Sequence, residues 1–203
     1  MKDKDKPNSI SRRSFIKGVG STVAGAYVIS PELAKLSGKI SKKAKEMGAG
    51  KRELSFKLNG KAVKILVKPN TTLADLLRGD FQLSGTKIIC NHGECGGCTV
   101  LLDDKAVYSC QMLALDVEGK AVTTVEGILK GGELALIQKA FVEKDGFQCG
   151  FCTPGQIMSA YALLKKNPNP SKEEVAKGMY GNICRCSAYP NIIDSVQAAA
   201  KQN

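Results

Sequence analysis

From residue 51 the chain alternates apolar and polar positions through ELSFKL, meets Asn59-Gly60, and alternates again through KAVKILV, which predicts a β-hairpin. TTLADLLRG then predicts a short helix with a threonine cap, Leu73, Leu76 and Leu77 on one face, and Gly79 at its end. Further on, TVLLDDKAVYSC predicts a second hairpin turning at Asp103-Asp104, and KAVTTVEG one more strand. Strands with a helix packed across them imply a compact mixed sheet.

From about residue 127 the period changes from two to that of a helix. GELALIQKAFVEK carries apolar residues at helical spacing, and CTPGQIMSAYALLKK predicts a helix with Thr153 as cap and Pro154 at its first position. SKEEVAKGMYG opens with the capping box Ser171 to Glu174, and YPNIIDSVQAAAKQ supplies a last helix. The expectation is therefore an α+β chain in which a strand-rich domain, residues 51–126, precedes a helical domain, residues 127–203, with its four short helices arranged as a bundle. No internal repeat relates the two.

With 43% hydrophobic residues in 203 and no tryptophan, the core must be largely aliphatic. The formal charge of +11 belongs in good part to the N-terminus: residues 1–26 hold six of the 30 basic side chains and two of the 19 acidic ones, leaving +7 elsewhere. No stripe of basic and aromatic residues accompanies that excess, so no nucleic-acid partner is expected. A polar basic segment, then SRRSFIK, then the weakly apolar GVGSTVAGAYVIS, has the order of a signal peptide, with small residues Ala24 to Ala26 at a cleavage position. The paired Arg12-Arg13 followed by Ser-Phe-Ile-Lys resembles the bacterial twin-arginine signal. That resemblance implies a signal peptide over residues 1–30, use of the twin-arginine export machinery, a periplasmic location, and folding around a cofactor before export. Residues 31–50, rich in lysine and glycine, read as a basic linker.

The eight cysteines fall into two sets of four. Cys90, Cys95, Cys98 and Cys110 are spaced C-x4-C-x2-C-x11-C in the strand-rich half; Cys149, Cys152, Cys184 and Cys186 are spaced C-x2-C-x31-C-x1-C in the helical half. Disulfides, tetrahedral zinc and iron–sulfur clusters compete for each set. A bridge across Cys184-Arg185-Cys186 would be strained. Zinc accepts four thiolates readily, so a zinc-stapled structural or binding module without redox activity is the alternative. C-x4-C-x2-C with a distant fourth cysteine is the plant-type ferredoxin spacing for a 2Fe-2S cluster. Gly93, Gly96 and Gly97, interleaved with three of these cysteines in CNHGECGGC, allow the backbone to close around a bulky anion and turn its N–H groups toward sulfur.

A Rieske centre requires two histidines, and His92 is the only one in the chain. The bacterial four-iron run does not occur, nor does a zinc-protease motif or a nucleophile elbow. No catalytic residue is assigned.

CNHGECGGCTV, Cys110, QCGFCTPG and GNICRCSAYPNI together resemble the iron–sulfur subunit of the molybdenum hydroxylases, of xanthine dehydrogenase and aldehyde oxidoreductase type, over roughly residues 54–199. The resemblance implies a ferredoxin-like β-grasp domain followed by a four-helix domain, each holding one 2Fe-2S cluster. It places the Cys149, Cys152, Cys184 and Cys186 cluster nearer the molybdenum site and the Cys90, Cys95, Cys98 and Cys110 cluster nearer an outside acceptor. It sets Gln148 and the Cys186 sulfur against a molybdopterin cofactor held by a separate large subunit. Many members fuse this module to flavin and molybdenum domains; this chain ends at Asn203, so it is expected to act as an electron-transfer subunit. Its partners would be the molybdenum subunit and an FAD subunit or cytochrome c acceptor, with aldehydes as the first substrate class and aromatic N-heterocycles the second.

Overall fold

Alternation in the strand-rich half produces a five-stranded mixed sheet in the computed structural model, which describes Arg13, Phe15 and residues 50–129 and 131–202. The signal peptide read over residues 1–30 and the linker over 31–50 lie outside the described residues, apart from Arg13, Phe15 and Gly50. Strands β1 (Arg52–Leu58) and β2 (Lys61–Val67) form the first hairpin, with Asn59 and Gly60 both at positive φ, as a tight two-residue turn requires. Strands β3 (Thr99–Leu102) and β4 (Lys105–Tyr108) form the second, turning on Asp103 and Asp104, again both at positive φ. Strand β5 (Ala121–Thr123) enters between the hairpins, parallel to β1 and antiparallel to β3, giving the order β2-β1-β5-β3-β4.

Helix α1 (Leu73–Gly79) crosses the sheet. Thr72 caps it, its hydroxyl accepting from the Asp75 N–H at 3.1 Å, and Leu73, Leu76 and Leu77 are wholly buried. At about 1.5–3 kcal/mol for each buried side chain, these three leucines suffice to hold a seven-residue helix that would not persist alone. They pack with Leu54, Phe56, Val100, Leu102 and Val122 as one core.

Four helices follow: α2 (Leu136–Glu143), α3 (Thr153–Lys166), α4 (Lys172–Gly178) and α5 (Tyr189–Ala200). Ser171 and Glu174 make both halves of the predicted capping box. Thr153, however, does not cap α3. Cys152 occupies the cap position with helical backbone, Thr153 begins the helix, and its buried hydroxyl has no partner. Phe141, Met158, Val175, Ile192 and Val196 form the helical core, and Leu101 belongs to it as well.

Leu101 explains how the halves meet. All four residues of β3 are buried: Val100 and Leu102 face the α1 side, while Leu101 faces the helical core, where α3 packs on the strand. A strand covered on both faces reads as a continuous apolar run, and TVLL is one. Residues from Gly50 onward accordingly close into one compact unit.

Candidate metal centres

The first cysteine set is assembled by the second hairpin and the turn that follows it. Cys98 immediately precedes β3 and Cys110 lies in a short 3-10 turn, Ser109–Gln111, directly after β4. Antiparallel pairing of Thr99 with Tyr108 therefore sets the two cysteines side by side. Ser109 fixes them there, donating from its backbone N–H at 3.3 Å and from its hydroxyl at 2.7 Å to the Cys98 carbonyl. Both sulfurs are buried against Ala74, Ile88 and Tyr108. Helix α1 anchors this turn through two backbone bonds, Leu73 N–H to Met112 and Ala114 N–H to Thr71.

Cys90 and Cys95 occupy the outer part of the loop. The His92 N–H points at Cys90 Sγ at 3.4 Å, and Gln111 ties the loop to the turn by donating to the Asn91 carbonyl at 3.3 Å. Gly96 turns the chain at φ +68°, where an added Cβ would lie 2.5 Å from Asn182 Nδ2. Gly97 does not have positive φ; the end of the Ile89 side chain packs where a Cβ would be.

The second set brackets the start of α3. Cys149 and Cys152 precede that helix, while Cys184 and Cys186 lie between α4 and α5. The Cys184 N–H donates to the Tyr189 hydroxyl at 2.9 Å, holding the cysteine pair against the first turn of α5.

Within each set the thiols act on one another: Cys95 on Cys90, Cys110 on Cys98, Cys186 on Cys149, and both Cys184 and Cys149 on Cys152. All eight are free, so no disulfide joins them. Among the described residues no group of three His, Cys, Asp or Glu side chains is drawn together around one ion.

Electrostatics divides each set into an exposed and a buried end. The His92 N–H, followed by those of Glu94 and Cys95, lowers the Cys90 thiol to about 6. The Phe151 N–H and the Cys186 thiol likewise lower that of Cys149. Burial pushes Cys98 up to about 11, and burial together with Cys184 pushes Cys152 up to about 12. Backbone amides thus favour anionic sulfur at the outer ends, whereas the inner sulfurs can be thiolates only with a cation against them. Four sulfurs per site, with N–H groups aimed at some and burial at others, fit an iron–sulfur cluster.

The two sets are joined by one backbone bond and by side chains that donate to backbone carbonyls. The Ile183 N–H donates to the Cys95 carbonyl at 2.9 Å, and Asn182 Nδ2 donates to the Gly96 carbonyl at 3.0 Å. Gln156, buried in α3, donates to the Asn182 carbonyl at 3.1 Å. At Gly155 an added Cβ would lie 2.2 Å from the Gly96 carbonyl, so α3 presses its first turn directly on the first loop. Asn182, Ile183 and Gln156 were not singled out from the sequence; the only signal was their place beside cysteines in GNICRC and CTPGQ. Gln148 directly precedes Cys149, whose thiol is lowered by the Phe151 N–H and by Cys186. Gln148 is exposed, and Phe147, Phe151, Ile183 and Tyr189 are exposed apolar residues in the same segments.

Comparison with known proteins agrees with this geometry. Residues 56–125 match the family described as 2Fe-2S iron-sulfur cluster binding domain, and residues 124–197 the family described as [2Fe-2S] binding domain. The chain is 43% identical over 145 residues to a probable xanthine dehydrogenase subunit of Bacillus subtilis, covering 71% of this chain and 83% of the relative. It is 38% identical over 207 residues to the aldehyde oxidoreductase iron-sulfur-binding subunit PaoA of Escherichia coli, covering 95% of this chain and 89% of that one. The crystal structure of quinoline 2-oxidoreductase from Pseudomonas putida superposes with a TM-score of 0.73 at 42% identity, over 75% of this chain and 96% of that chain. The cysteine loops, the sheet and helices that hold them, and these similarities converge: the chain binds iron–sulfur and belongs to the family of 2Fe-2S subunits of xanthine dehydrogenase- and aldehyde oxidoreductase-type molybdenum hydroxylases.

Proposed function

We propose that this chain carries two 2Fe-2S clusters and relays single electrons from a molybdenum centre in a large partner subunit to an acceptor outside. The observation that carries the reading is that each of the two matched 2Fe-2S domains, residues 56–125 and 124–197, contains one complete set of four free cysteines. Each cluster, when bound, accepts and returns one electron.

The residues of the chain do the rest. Cys90, Cys95, Cys98 and Cys110 hold one cluster in the β-grasp sheet half; Cys149, Cys152, Cys184 and Cys186 hold the other among the four helices. Amides of His92 and Phe151 stabilise negative charge on the outer sulfurs, which favours a reduced cluster by offsetting its added charge. The bond from Ile183 to Cys95 provides a short covalent and hydrogen-bonded route, since Ile183 adjoins Cys184.

The molybdenum partner is inferred to cover the surface around Cys149 and Cys186. Phe151 is 52% and Ile183 50% exposed there, the composition of an interface core rather than of a free surface. Gln148 and Cys186 would then face the molybdopterin cofactor held by that partner. An FAD subunit or cytochrome c takes the electrons from the Cys90 side. Aldehydes are the proposed substrates, with N-heterocycles second, and the complex is proposed to reach the periplasm through the twin-arginine machinery.

Low-temperature electron paramagnetic resonance of the anaerobically purified, dithionite-reduced chain, with spins counted, tests the central reading. Two distinct signals of one spin per chain each support it; colourless, spin-silent protein containing zinc despite adequate iron overturns it. Export is tested separately by Arg12→Lys together with Arg13→Lys, which is expected to retain the complex in the cytoplasmic fraction; unchanged periplasmic recovery refutes that route.

A further inference from the structure

Tyr108 ends β4 between the two cysteine sets. Its ring packs with Ile88 against Cys98 and Cys110, both of the first set. Its hydroxyl reaches 73 residues along the chain and donates to the Gly181 carbonyl at 2.8 Å, at the head of the segment that delivers Cys184 and Cys186. That segment, residues 181–184, has no strand or helix of its own to fix it. It is held instead by hydrogen bonds to its surroundings, the Cys184–Tyr189 bond among them. Three of them come from the first cysteine loop or from α3: Ile183 to Cys95, Asn182 to Gly96, and Gln156 to Asn182. Another, from Tyr108, ties it to the end of β4.

The side chain chemistry at this position exceeds what packing asks for. A phenylalanine would cover Cys98 and Cys110 equally well; the hydroxyl adds only the bond to Gly181. The fit on the other side is equally close. An added Cβ at Gly181 would lie 2.1 Å from the Tyr108 hydroxyl oxygen but 3.4 Å from Cζ, the ring carbon that bears it. A side chain at residue 181 would have to displace the hydroxyl.

We propose that Tyr108 is a positioning residue whose hydroxyl, seated on Gly181, fixes the separation of the two cluster-holding segments and so the coupling between their centres. This rests on the two-cluster reading above. Dipolar interaction between two reduced clusters falls with the cube of their separation, so its splitting reports spacing directly, which activity or stability does not.

The test compares the full chain with Tyr108→Phe, Gly181→Ala and the double variant, each fully reduced and examined for iron content and for the splitting of its resonance signals. Tyr108→Phe is expected to keep its iron and both signals but to change the splitting. Gly181→Ala, driving a methyl against the hydroxyl, is expected to change it further. Adding Tyr108→Phe to Gly181→Ala is expected to move the splitting back toward the wild type, because the methyl then meets only the ring edge. If Tyr108→Phe alone loses iron, the comparison of Gly181→Ala with the wild type decides the matter. The same splitting throughout the series, with both signals present, overturns the positioning role and leaves the two-cluster reading intact. A wild-type chain without two signals overturns both.

Discussion

The Ile183 N–H donates to the carbonyl of Cys95 at 2.9 Å, so a residue adjoining one cysteine set is hydrogen-bonded to a member of the other, 88 positions away. Neither group belongs to a sheet or helix ladder. The contact exists because the loop around Gly96 and the turn before Cys184 are pressed together by α3, with Asn182 filling the space that a side chain at residue 96 would take. A backbone bond at this point couples the two sites mechanically.

Cys186→Ala is expected to halve the iron content and remove one of two reduced signals while sparing the other. Cys186 acts on Cys149 and is itself acted on by Cys149 and Cys184, all of its own set, so the effect should stay local. Iron analysis and spin counting check this; an unchanged iron count would sink the ligand assignment.

Asn182→Asp should be far more damaging than its shape suggests. Nδ2 donates to Gly96, and the side chain is 95% buried. A carboxylate there faces a carbonyl without a donor, at a cost of about 3 kcal/mol or more. Denaturant unfolding should show the loss, and stability equal to the wild type would mean that this bond holds nothing.

Gly96→Ala and Gly60→Ala separate strain from collision. Both residues have positive φ, +68° and +81°, but a Cβ at Gly60 meets open space whereas one at Gly96 meets Asn182 and Gly181. Gly60→Ala should cost about 1 kcal/mol and Gly96→Ala on the order of 3 kcal/mol with loss of the first-set iron. Equal costs by thermal unfolding would contradict the close approach of the two segments.

Glu174 gives a pH dependence with a defined sign. The Ser171 N–H, accepted at 2.8 Å, lowers its carboxyl below the ordinary 4.5. Because the folded value lies below the unfolded one, its contribution is complete above 4.5 and disappears as the pH falls through the folded value. Glu174→Gln should therefore flatten the acid side of the stability profile and leave its neutral region less stable. Parallel profiles for the two proteins down to the acid limb would show that the capping box contributes nothing there.

Much of this protein is local chemistry, and local chemistry is written in the chain. Alternation, the Asn59-Gly60 and Asp103-Asp104 turns, and the Thr72 and Ser171 caps determine the hairpins and two of the helix starts through pairings no more than 15 residues apart. The division of eight cysteines into two fours is equally local, since spacing alone limits which sulfurs a loop can gather. At Thr153 the local rule failed: a threonine before Pro154 looks like a cap, but the Cys149–Cys152 turn carries helical backbone one residue earlier. What tertiary structure decided is everything that depends on distance through space. Insertion of β5 between the hairpins, the burial of β3 from both sides, and the contacts of Tyr108, Gly181, Asn182, Ile183 and Cys95 join residues up to 88 positions apart. No periodicity records such contacts, because they arise only when α3 packs on β3 and brings two separately formed cysteine loops within hydrogen-bonding reach.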